Sequence, residues 1–284
     1  MKKNHFNFRF PLWNNDKQLE ATYNVTMLSL AISPIAFLGK LTSFIWNSVL
    51  GLGHTHRRLG IFFQQFDFIG VQSFVVVTFS AIFIGAVLAF QTYIALHYFG
   101  MDGFLGSSVG IALMRELAPV FCGIMVAGRA GAAIAAEIAT MRVTEQIDAM
   151  EALGTDPYNY LMAPRILAGT LSLPLLCIYF TIIGCFSGFF IASVVLDADG
   201  AVYWQQLAWA VDFNDVWQGL VKATIFGFFL SVLGCFYGYY AENNAQGVGV
   251  ATNKAVVTSA LWILFSDYVL TAYLPYDPSN LILK

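Results

Sequence analysis

Charged residues lie inside stretches of the sequence that are mostly apolar, and among them are Arg115, Glu116, Lys222 and Asp267. An ionisable side chain inside a lipid bilayer is costly, and it usually marks a binding or transport site or a buried pair. Arg115 and Lys222 could bind an anionic group. A buried hydrogen bond is the simpler role for Asp267, in the middle of its stretch, and proton transfer is the alternative. Pairing of Arg115 with Glu116, together with snorkelling, is the interpretation without a ligand.

Arg115, Glu116 and Lys222 fall at similar depth near one end of their apolar stretches, if each residue rises about 1.5 Å along a helix. They could therefore line the polar mouth of a cavity that opens on the outer side of the membrane. A phospholipid combines an anionic head with apolar tails. The sequence predicts that the head binds these charges and that the tails contact three aromatic residues of another stretch, Phe83, Phe90 and Tyr93.

A second set of charged residues forms a regular pattern between two apolar stretches. Glu145, Asp148 and Glu151 recur every three residues and would form an acidic stripe on a short helix. Three apolar residues follow the same spacing on another side of that helix: Ile147, Met150 and Leu153. Such a helix could rest its apolar side on the membrane-embedded part of the protein and offer the acids and Gln146 to a soluble partner. A solvated helix without a partner is the alternative.

The ends of this helix are also predicted. Thr144 can cap a helix that begins at Glu145, where a carboxylate interacts favourably with the positive helix end. Gly154 is placed to end the helix, because glycine adopts the left-handed conformation that helix ends require. The pattern therefore predicts a helix over 145–153 within a loop over 140–165.

The composition is that of an integral membrane protein. Of the 284 residues, 58% are hydrophobic and 11% are charged, whereas soluble domains carry about 25% charged residues. The net charge of −3 indicates no surface for nucleic acid. The four cysteines lie in apolar stretches without the spacing of a metal site, and no phosphate-binding loop motif is present. We therefore expect no metal, no catalytic residue and no bound ATP in this chain.

Five stretches are long and apolar enough to cross a bilayer, which takes about 20 residues of helix. They extend over 70–99, 111–139, 166–196, 216–241 and 254–274. The second stretch also carries Arg129 and Glu137, which we expect to pair with each other or with neighbouring helices. The predicted fold class is an all-α integral membrane protein with about five transmembrane helices.

The remaining segments are assigned by their polarity. Residues 21–53 are apolar but contain Pro34 and Lys40, which favours an interfacial or re-entrant helical elbow over a full membrane span. The polar start of the chain does not have the apolar core of a signal peptide. The predicted domains are an N-terminal extension over 1–20, the elbow over 21–58, a transmembrane domain over 59–274 and a C-terminal tail over 275–284.

The distribution of basic residues predicts the orientation in the membrane. The Lys and Arg residues that flank short connections all fall on one side of the predicted membrane domain: Arg57, Arg58, Arg142, Arg165 and Lys254. The connections on the other side, over 100–110 and 197–215, contain no Lys or Arg. Because cytoplasmic connections are enriched in Lys and Arg, we predict that the N-terminus and the 140–165 loop are cytoplasmic. The C-terminal tail would then lie outside.

Small residues recur every four positions in several of the apolar stretches and would form smooth surfaces for close packing of helices. The clearest set lies in the second stretch: Gly123, Ala127, Gly131 and Ala135. Packing within one chain is the simpler interpretation of these surfaces. Packing between two copies in a homodimer is the alternative.

Three parts of the sequence resemble the MlaE permease family, the membrane subunits of lipid-transporting ABC systems. They are RELAPV at 115–120 with AGRAGA at 127–132, EIATMRVTEQIDAMEALG at 137–154, and QGVGVAT at 246–252 with DYVLT at 267–271. The resemblance runs from about residue 60 to residue 274. The chain departs from the family at Val250, where a basic residue is usual, and at Lys254, where arginine is common.

The resemblance implies a homodimeric permease with two ABC ATPase subunits, which bind ATP and Mg²⁺, on its cytoplasmic face. It also implies an MCE-domain protein on the periplasmic side, and a small STAS-type accessory protein is a further candidate partner. Residues 145–153 would be the coupling helix that receives the movement of the ATPase, through Glu145, Gln146, Asp148, Met150, Glu151 and Gly154. Arg115, Glu116 and Lys222 match positions near the family's lipid pocket.

The predicted function is that of a permease subunit that moves phospholipid between the bacterial inner membrane and the MCE-domain protein, and so maintains the lipid asymmetry of the outer membrane. A plastid inner envelope is the less favoured location. One alternative is an ion-coupled secondary transporter or channel that uses Asp267 and Glu116 without an ATPase. Another is a membrane scaffold on which the 140–165 loop anchors a soluble protein.

Overall fold

The computed structural model of the chain describes residues 36–51 and 59–274, and nearly all of these residues are helical. We number the described helices α1 to α8. Their bounds are 36–51 for α1, Leu59–His97 for α2, Asp102–Val143 for α3, Gln146–Ala152 for α4, Tyr158–Val195 for α5, Gly200–Ala210 for α6, Phe213–Tyr239 for α7 and Ala245–Tyr273 for α8. Within these ranges there is no β-strand.

Five of the described helices, α2, α3, α5, α7 and α8, are long and apolar enough to cross a membrane. This confirms the predicted class and the five predicted spans. The helices begin earlier than the charge-free stretches do: α2 begins at Leu59 and continues through Asp67, and α8 begins at Ala245. Backbone hydrogen bonds can continue a helix through polar residues. A stretch of apolar residues in the sequence therefore marks only the part of the helix that lies in the hydrocarbon core.

The connections between the long helices lie at two opposite ends of the bundle. One end, which we call the α4 end, holds the connection from α3 to α5, which contains α4, and the connection from α7 to α8. Connections α2–α3 and α5–α7, the latter containing α6, lie at the opposite end, the α6 end. Helix α7 packs against α3, α5 and α8 and is the most buried of the five long helices. Helix α2 packs along α5.

Several long helices contain local departures from α-helical geometry. Helix α2 is interrupted at Gly70 by a 3₁₀ turn over Val71–Ser73. Helix α3 contains two π-helical turns, Leu113–Leu117 and Ala127–Gly131. Turns of this kind often occur at functional sites. The first of them carries Arg115 and Glu116, so the predicted site residues lie on an irregular part of α3.

Close backbone contact holds α2 against α5. A Cβ atom added at Gly85 of α2 would overlap the backbone carbonyl oxygen of Gly184 in α5. Only glycine can bring two helix backbones this near. Gly188, one turn further along α5, faces Val109 of α3 and Ala89 of α2. The lack of side chains at Gly85 and Gly184 therefore allows α2 and α5 to pack in backbone contact.

The stripe of small residues in α3 is buried by the chain's own helices. Gly123, Ala127, Gly131 and Ala135 are all buried in the single chain. A Cβ atom at Gly123 would lie 3.3 Å from Ile263 of α8 and 3.5 Å from Phe226 of α7. This is packing within one chain, as the simpler interpretation expected. Packing of this stripe between two copies stays a prediction.

Helix α6 is capped by Asp199 at its start and is attached to α5 through Tyr203. The Asp199 carboxylate accepts hydrogen bonds from the backbone nitrogens of Ala201, 2.8 Å away, and Val202. The Tyr203 hydroxyl donates to the backbone oxygen of Cys185 at 3.2 Å. Burial raises the pKa of the Tyr203 phenol, so this hydroxyl stays protonated as a donor.

The predicted N-terminal elbow is described only in part. Helix α1 covers 36–51 and includes Lys40, whose side chain is exposed. The described helix is shorter than the roughly 20 residues that a membrane span requires. The rest of the elbow, the extension over 1–20 and the tail over 275–284 lie outside the described residues.

Candidate functional site

Lys222 is the centre of a buried ionic cluster at the α6 end of the bundle. This residue is only 1% exposed. Its Nζ donates to Glu116 Oε2 at 2.5 Å and to Thr271 Oγ1 at 2.8 Å. Nζ also lies 3.1 Å from Asp267 Oδ1, at the distance of an ion pair. One ammonium group thus joins α3, α7 and α8, and we call Glu116, Lys222, Asp267 and Thr271 the Lys222 cluster.

Arg115 forms a separate ion pair beside this cluster. Its Nε donates to Asp215 Oδ1 at 2.7 Å, and a terminal guanidinium nitrogen contacts the same oxygen. The other Asp215 oxygen accepts from the backbone nitrogen of Asp212 at 3.0 Å, at the start of α7. The suggested pairing of Arg115 with Glu116 is wrong, because adjacent residues of a helix point in different directions and each reaches another helix.

The structure therefore brings Arg115, Glu116 and Lys222 to the same end of the bundle, as predicted from their depth. Asp267 joins them, and its predicted position in the middle of its span is corrected. It lies near the end of α8 because that helix ends at Tyr273, at the α6 end.

Two residues of this site, Asp215 and Thr271, were not identified as site residues from the sequence. The signal for Asp215 is its spacing from Asp212, which is that of a helix cap immediately before an apolar stretch. Such a cap places the Asp215 carboxylate in the first turn of α7. No local pattern indicates that the Thr271 hydroxyl would face Lys222.

The charges of the site are largely neutralised within the chain. Lys222 contacts two carboxylates, and Arg115 contacts one. The Glu116 side chain is 40% exposed, so the accessible edge of the cluster is a carboxylate beside the partly exposed Arg115. A phosphate group that reached Lys222 would have to replace a carboxylate, whereas one that reached Arg115 could bind at its exposed edge.

An apolar cavity of about 160 Å³ lies next to the Arg115–Asp215 pair. Met114 and Val216, the chain neighbours of that pair, form part of its wall. The complete lining comes from α3, α5 and α7: Met114, Cys177, Ile178, Thr181, Ile182, Val216, Gly219 and Leu220. Such a lining suits an acyl chain better than a polar group.

The aromatic residues predicted to contact lipid tails lie on α2. Phe83 and Phe90 are exposed on the described chain, and neither lines the cavity beside Arg115. The Tyr93 ring stacks on His97, with ring centres 5.4 Å apart, and His97 pairs with Asp102 at 3.0 Å. A role for these rings in a shared lipid site stays a prediction.

The start of helix α4 differs from the prediction. Helix α4 begins at Gln146, and Glu145 before it adopts a left-handed conformation with φ of 58°. The residue at the N-cap position is Glu145, and no side chain there accepts a hydrogen bond from the first turn, so the predicted Thr144 cap is wrong. The Thr144 hydroxyl instead donates to the backbone oxygen of Thr140 in α3 at 2.9 Å. The end at Gly154 is confirmed, because this residue has φ of 73°.

Helix α4 is attached to the bundle by one buried residue and two polar contacts. Ile147 is fully buried. Asp148 Oδ1 lies 2.7 Å from Arg142 Nη1 at the end of α3, and Glu151 Oε1 accepts from the Tyr239 hydroxyl at 3.3 Å. Two of the three acids in the predicted stripe therefore bind the chain's own residues.

Asp148 and Glu151 remain exposed to solvent although they bind the chain's own residues. Glu145 and Gln146 are exposed at its start. Leu153, predicted to rest on the membrane-embedded part, is 83% exposed at its end, which corrects that prediction. Met150 is partly buried. A soluble partner would thus meet a surface with a polar start and an apolar end.

Arg129 and Glu137 pair with neighbouring helices rather than with each other. Arg129 donates to the backbone oxygen of Phe68 at 2.5 Å and to Gln72 Oε1 at 2.6 Å. The Phe68 oxygen lies just before the interruption of α2 at Gly70. Glu137 Oε1 lies 2.8 Å from a guanidinium nitrogen of Arg165 in α5.

The four cysteines are buried free thiols. In the part of the chain that the structure describes, no group of three or more His, Cys, Asp or Glu side chains is arranged to hold a metal ion. The described polar features are thus ion pairs and hydrogen bonds.

Comparison with known proteins places these features in a family. The family model described as Permease MlaE matches residues 62–273. The chain belongs to the MlaE permease family. The match covers all of α3 to α8, and with them the Lys222 cluster and α4, so the resemblance seen in the three sequence motifs is confirmed.

Individual relatives agree with this assignment. A protein of Rickettsia conorii named as a probable ABC transporter permease is 43% identical over 234 residues, which cover 82% of this chain and 90% of the relative. The intermembrane phospholipid transport system permease protein MlaE of Haemophilus influenzae is 33% identical over 236 residues, 83% of this chain and 90% of the relative. A chloroplastic Arabidopsis thaliana protein, TRIGALACTOSYLDIACYLGLYCEROL 1, is 33% identical over 210 residues, 74% of this chain and 60% of the relative.

Proposed function

We propose that this chain is the permease subunit of an ABC transporter that moves phospholipid. The observation that carries the proposal is the family match over 62–273, a segment that contains both an ionic site and an exposed helix for a soluble partner. The Haemophilus influenzae relative is named as part of a phospholipid transport system. Since the sequence has no phosphate-binding loop motif, ATP and Mg²⁺ would bind a separate ATPase subunit.

The proposed assembly is a homodimer in the bacterial inner membrane, with its N-terminus and α4 end in the cytoplasm. The ATPase subunits would bind at α4, whose exposed residues include Gln146 and Leu153. An MCE-domain protein would bind at the α6 end and exchange lipid with the outer membrane, whose lipid asymmetry the system maintains. A STAS-type protein is a candidate accessory subunit. The excess of basic residues near the α4 end supports this orientation.

The proposed lipid site combines the exposed edge of Arg115 with the apolar cavity beside it. The guanidinium group suits a phosphate oxygen, because it offers several donors in a fixed plane. The cavity of about 160 Å³ would hold part of one acyl chain. Closure of the ATPase subunits would displace α4, and the helices that carry the ionic site would then alternate between two arrangements around the lipid.

The first experiment isolates the chain from native membranes in mild detergent and identifies the associated proteins and lipids by mass spectrometry. We expect an ATPase, an MCE-domain protein and stoichiometric phospholipid. Transport is then measured in proteoliposomes that contain the isolated complex, with and without ATP. Lipid movement that does not depend on ATP, or a chain that is isolated without an ATPase, would favour ion-coupled transport instead.

Variants test the two ends of the proposal separately. Glu145→Lys combined with Asp148→Lys is expected to abolish ATP-dependent transport, because it reverses the charge of α4 where the partner would bind and breaks the pair of Asp148 with Arg142. The folded permease should persist, since Ile147 keeps α4 in place. Arg115→Ala is expected to reduce the phospholipid that remains bound after purification. Normal transport in the first variant contradicts the assignment of α4, and unchanged lipid in the second contradicts the lipid site.

A further inference from the structure

Two residues outside α4 hold that helix in a closed network. Arg142, in the last turn of α3, pairs with Asp148 at 2.7 Å. Its guanidinium carbon lies 5.7 Å from the centre of the Tyr239 ring, in the range of a cation–π contact. Tyr239 is the last residue of α7, and its hydroxyl donates to Glu151 at 3.3 Å. The network therefore runs from α4 to α3, to α7 and back to α4.

The helices that supply this network are the same two that hold the ionic site. Arg142 and Glu116 lie on α3, about 39 Å apart along its axis at about 1.5 Å per residue. Tyr239 and Lys222 lie on α7, about 26 Å apart on the same basis. Helices α3 and α7 are thus joined at one end by Arg142 and Tyr239, and at the other end by the Glu116–Lys222 and Arg115–Asp215 pairs.

Between these ends α3 and α7 are in close backbone contact. A Cβ atom added at Gly234 of α7 would lie 3.1 Å from the backbone oxygen of Gly131 in α3. A Cβ atom at Gly238 would lie 2.9 Å from the backbone oxygen of Ala135. Interiors packed at this density deform little, so helices in such contact move together.

We propose that Arg142 and Tyr239 form a clamp through which displacement of α4 reaches the Lys222 cluster by way of α3 and α7. Arg142 and Tyr239 are positioning residues: they need not contact lipid or ATPase, and they make α4 move together with the ends of two membrane helices. This inference rests on the proposed function, because it assumes that a soluble ATPase displaces α4.

The clamp contacts contribute to coupling more than to folding. Arg142 and Asp148 are both partly exposed to solvent, and an exposed ion pair contributes little to stability. The burial of Ile147 would keep α4 on the bundle when the clamp is removed. The expected defect is therefore loss of coordinated movement in a folded protein.

The test compares ATP hydrolysis and lipid transport in the same proteoliposomes, which contain the whole complex. The variants are Arg142→Gln, Tyr239→Phe and their combination. Tyr237→Phe is the matched control, because it also removes a tyrosine hydroxyl from α7. That hydroxyl lies 3.0 Å from the Thr258 hydroxyl of α8 and does not contact α4. Arg142→Lys restores a positive charge without the planar group and should recover part of the activity.

We expect the amount of lipid moved per ATP hydrolysed to fall about five-fold in the double variant, as the loss of a hydrogen bond of ordinary strength would produce. ATP hydrolysis and ATPase binding should stay within about two-fold of the unsubstituted complex. The reason is that the substitutions remove contacts inside the permease and no contact with the ATPase. The Tyr237→Phe control should keep the unsubstituted ratio.

Three results have distinct meanings. An unchanged ratio of lipid to ATP in the double variant overturns the clamp. Loss of ATPase binding in the Tyr239→Phe variant, with the control intact, also overturns it, because Tyr239 would then contact the partner directly. If the unsubstituted complex binds no ATPase or moves no lipid with ATP, the proposed function fails first and the clamp fails with it.

Discussion

Replacement of Lys222 by methionine removes the ammonium group that joins α3, α7 and α8. Methionine has a similar length and no charge, so packing volume is nearly conserved. Glu116 and Asp267, which lie 2.5 and 3.1 Å from the ammonium nitrogen, would lose the cation between them. The variant therefore measures what this buried charge contributes.

The size of the effect can be estimated from the burial of the three groups. Removal of one partner from a buried ion pair costs about 3–5 kcal/mol. The Glu116 and Asp267 side chains are 40% and 20% exposed, so water can hydrate part of the charge that is left. We discount the cost to about 2–3 kcal/mol for this reason. For a chain of this size that corresponds to a fall in Tm of about 4–12 °C.

The assay is thermal unfolding of the purified permease in detergent. Lys222→Met is compared with a compensated variant that also carries Glu116→Gln and Asp267→Asn. We expect the compensated variant to regain stability, because neutral side chains need no buried counter-ion. It should remain inactive in ATP-dependent lipid transport, because the charges of the site are then absent. Loss of transport without loss of stability would separate the functional role of the cluster from its structural role.

A fall in Tm of less than about 1 °C for Lys222→Met would refute this reasoning, since it would correspond to less than about 0.5 kcal/mol. So would a compensated variant that is less stable than Lys222→Met itself. Either result would mean that the two carboxylates do not depend on the ammonium group between them.

Three further predictions concern packing and the partner surface. Leu153→Asp should weaken binding of the purified ATPase about ten-fold or more in a titration, because an exposed leucine on α4 is placed to act as an apolar anchor; unchanged affinity would show that the partner does not contact it. Gly85→Ala should lower the free energy of unfolding by about 1–3 kcal/mol, since the added Cβ would overlap a backbone oxygen of α5. Gly60→Ala on the same helix is the control, because a Cβ there meets no atom within 4 Å. Equal Tm values for the two variants would contradict the close contact. Glu137→Gln should lower stability by about 1–2 kcal/mol because Arg165 is left buried without its carboxylate, and replacing Arg165 by methionine in the same chain should recover the loss.

Much of the architecture follows from local properties of the sequence. Five membrane helices were predicted because hydrophobicity over about 20 residues is sufficient to choose a helix in lipid. The end of α4 at Gly154 was predicted because a left-handed residue at a helix end favours glycine. The similar depth of Arg115 and Lys222 followed from the rise per residue of a helix. Each of these depends on neighbours in the chain.

Predictions that depended on distant neighbours were less successful. Arg115 binds Asp215 rather than Glu116. This partner could not be predicted from local spacing, because it is 100 positions away in the sequence. The stripe around Gly131 left two interpretations open, because the same pattern serves packing within a chain and between chains, and only the structure shows that it packs within the chain. Leu153 faces solvent, since α4 ends at Ala152 and Leu153 no longer follows the helical spacing that buries Ile147.

The sequence by itself determined the class of the protein, its five membrane helices, its family and the position of its charged connection, because all of these are properties of composition, short motifs and helical periodicity. Only the tertiary structure decided which carboxylate neutralises which cation and which acids of α4 bind the chain's own residues. It also revealed that α3 and α7 carry both the ionic site and the attachment of α4. Ion pairs and helix contacts form between residues that folding brings together, and their geometry depends on the arrangement of all the helices at once.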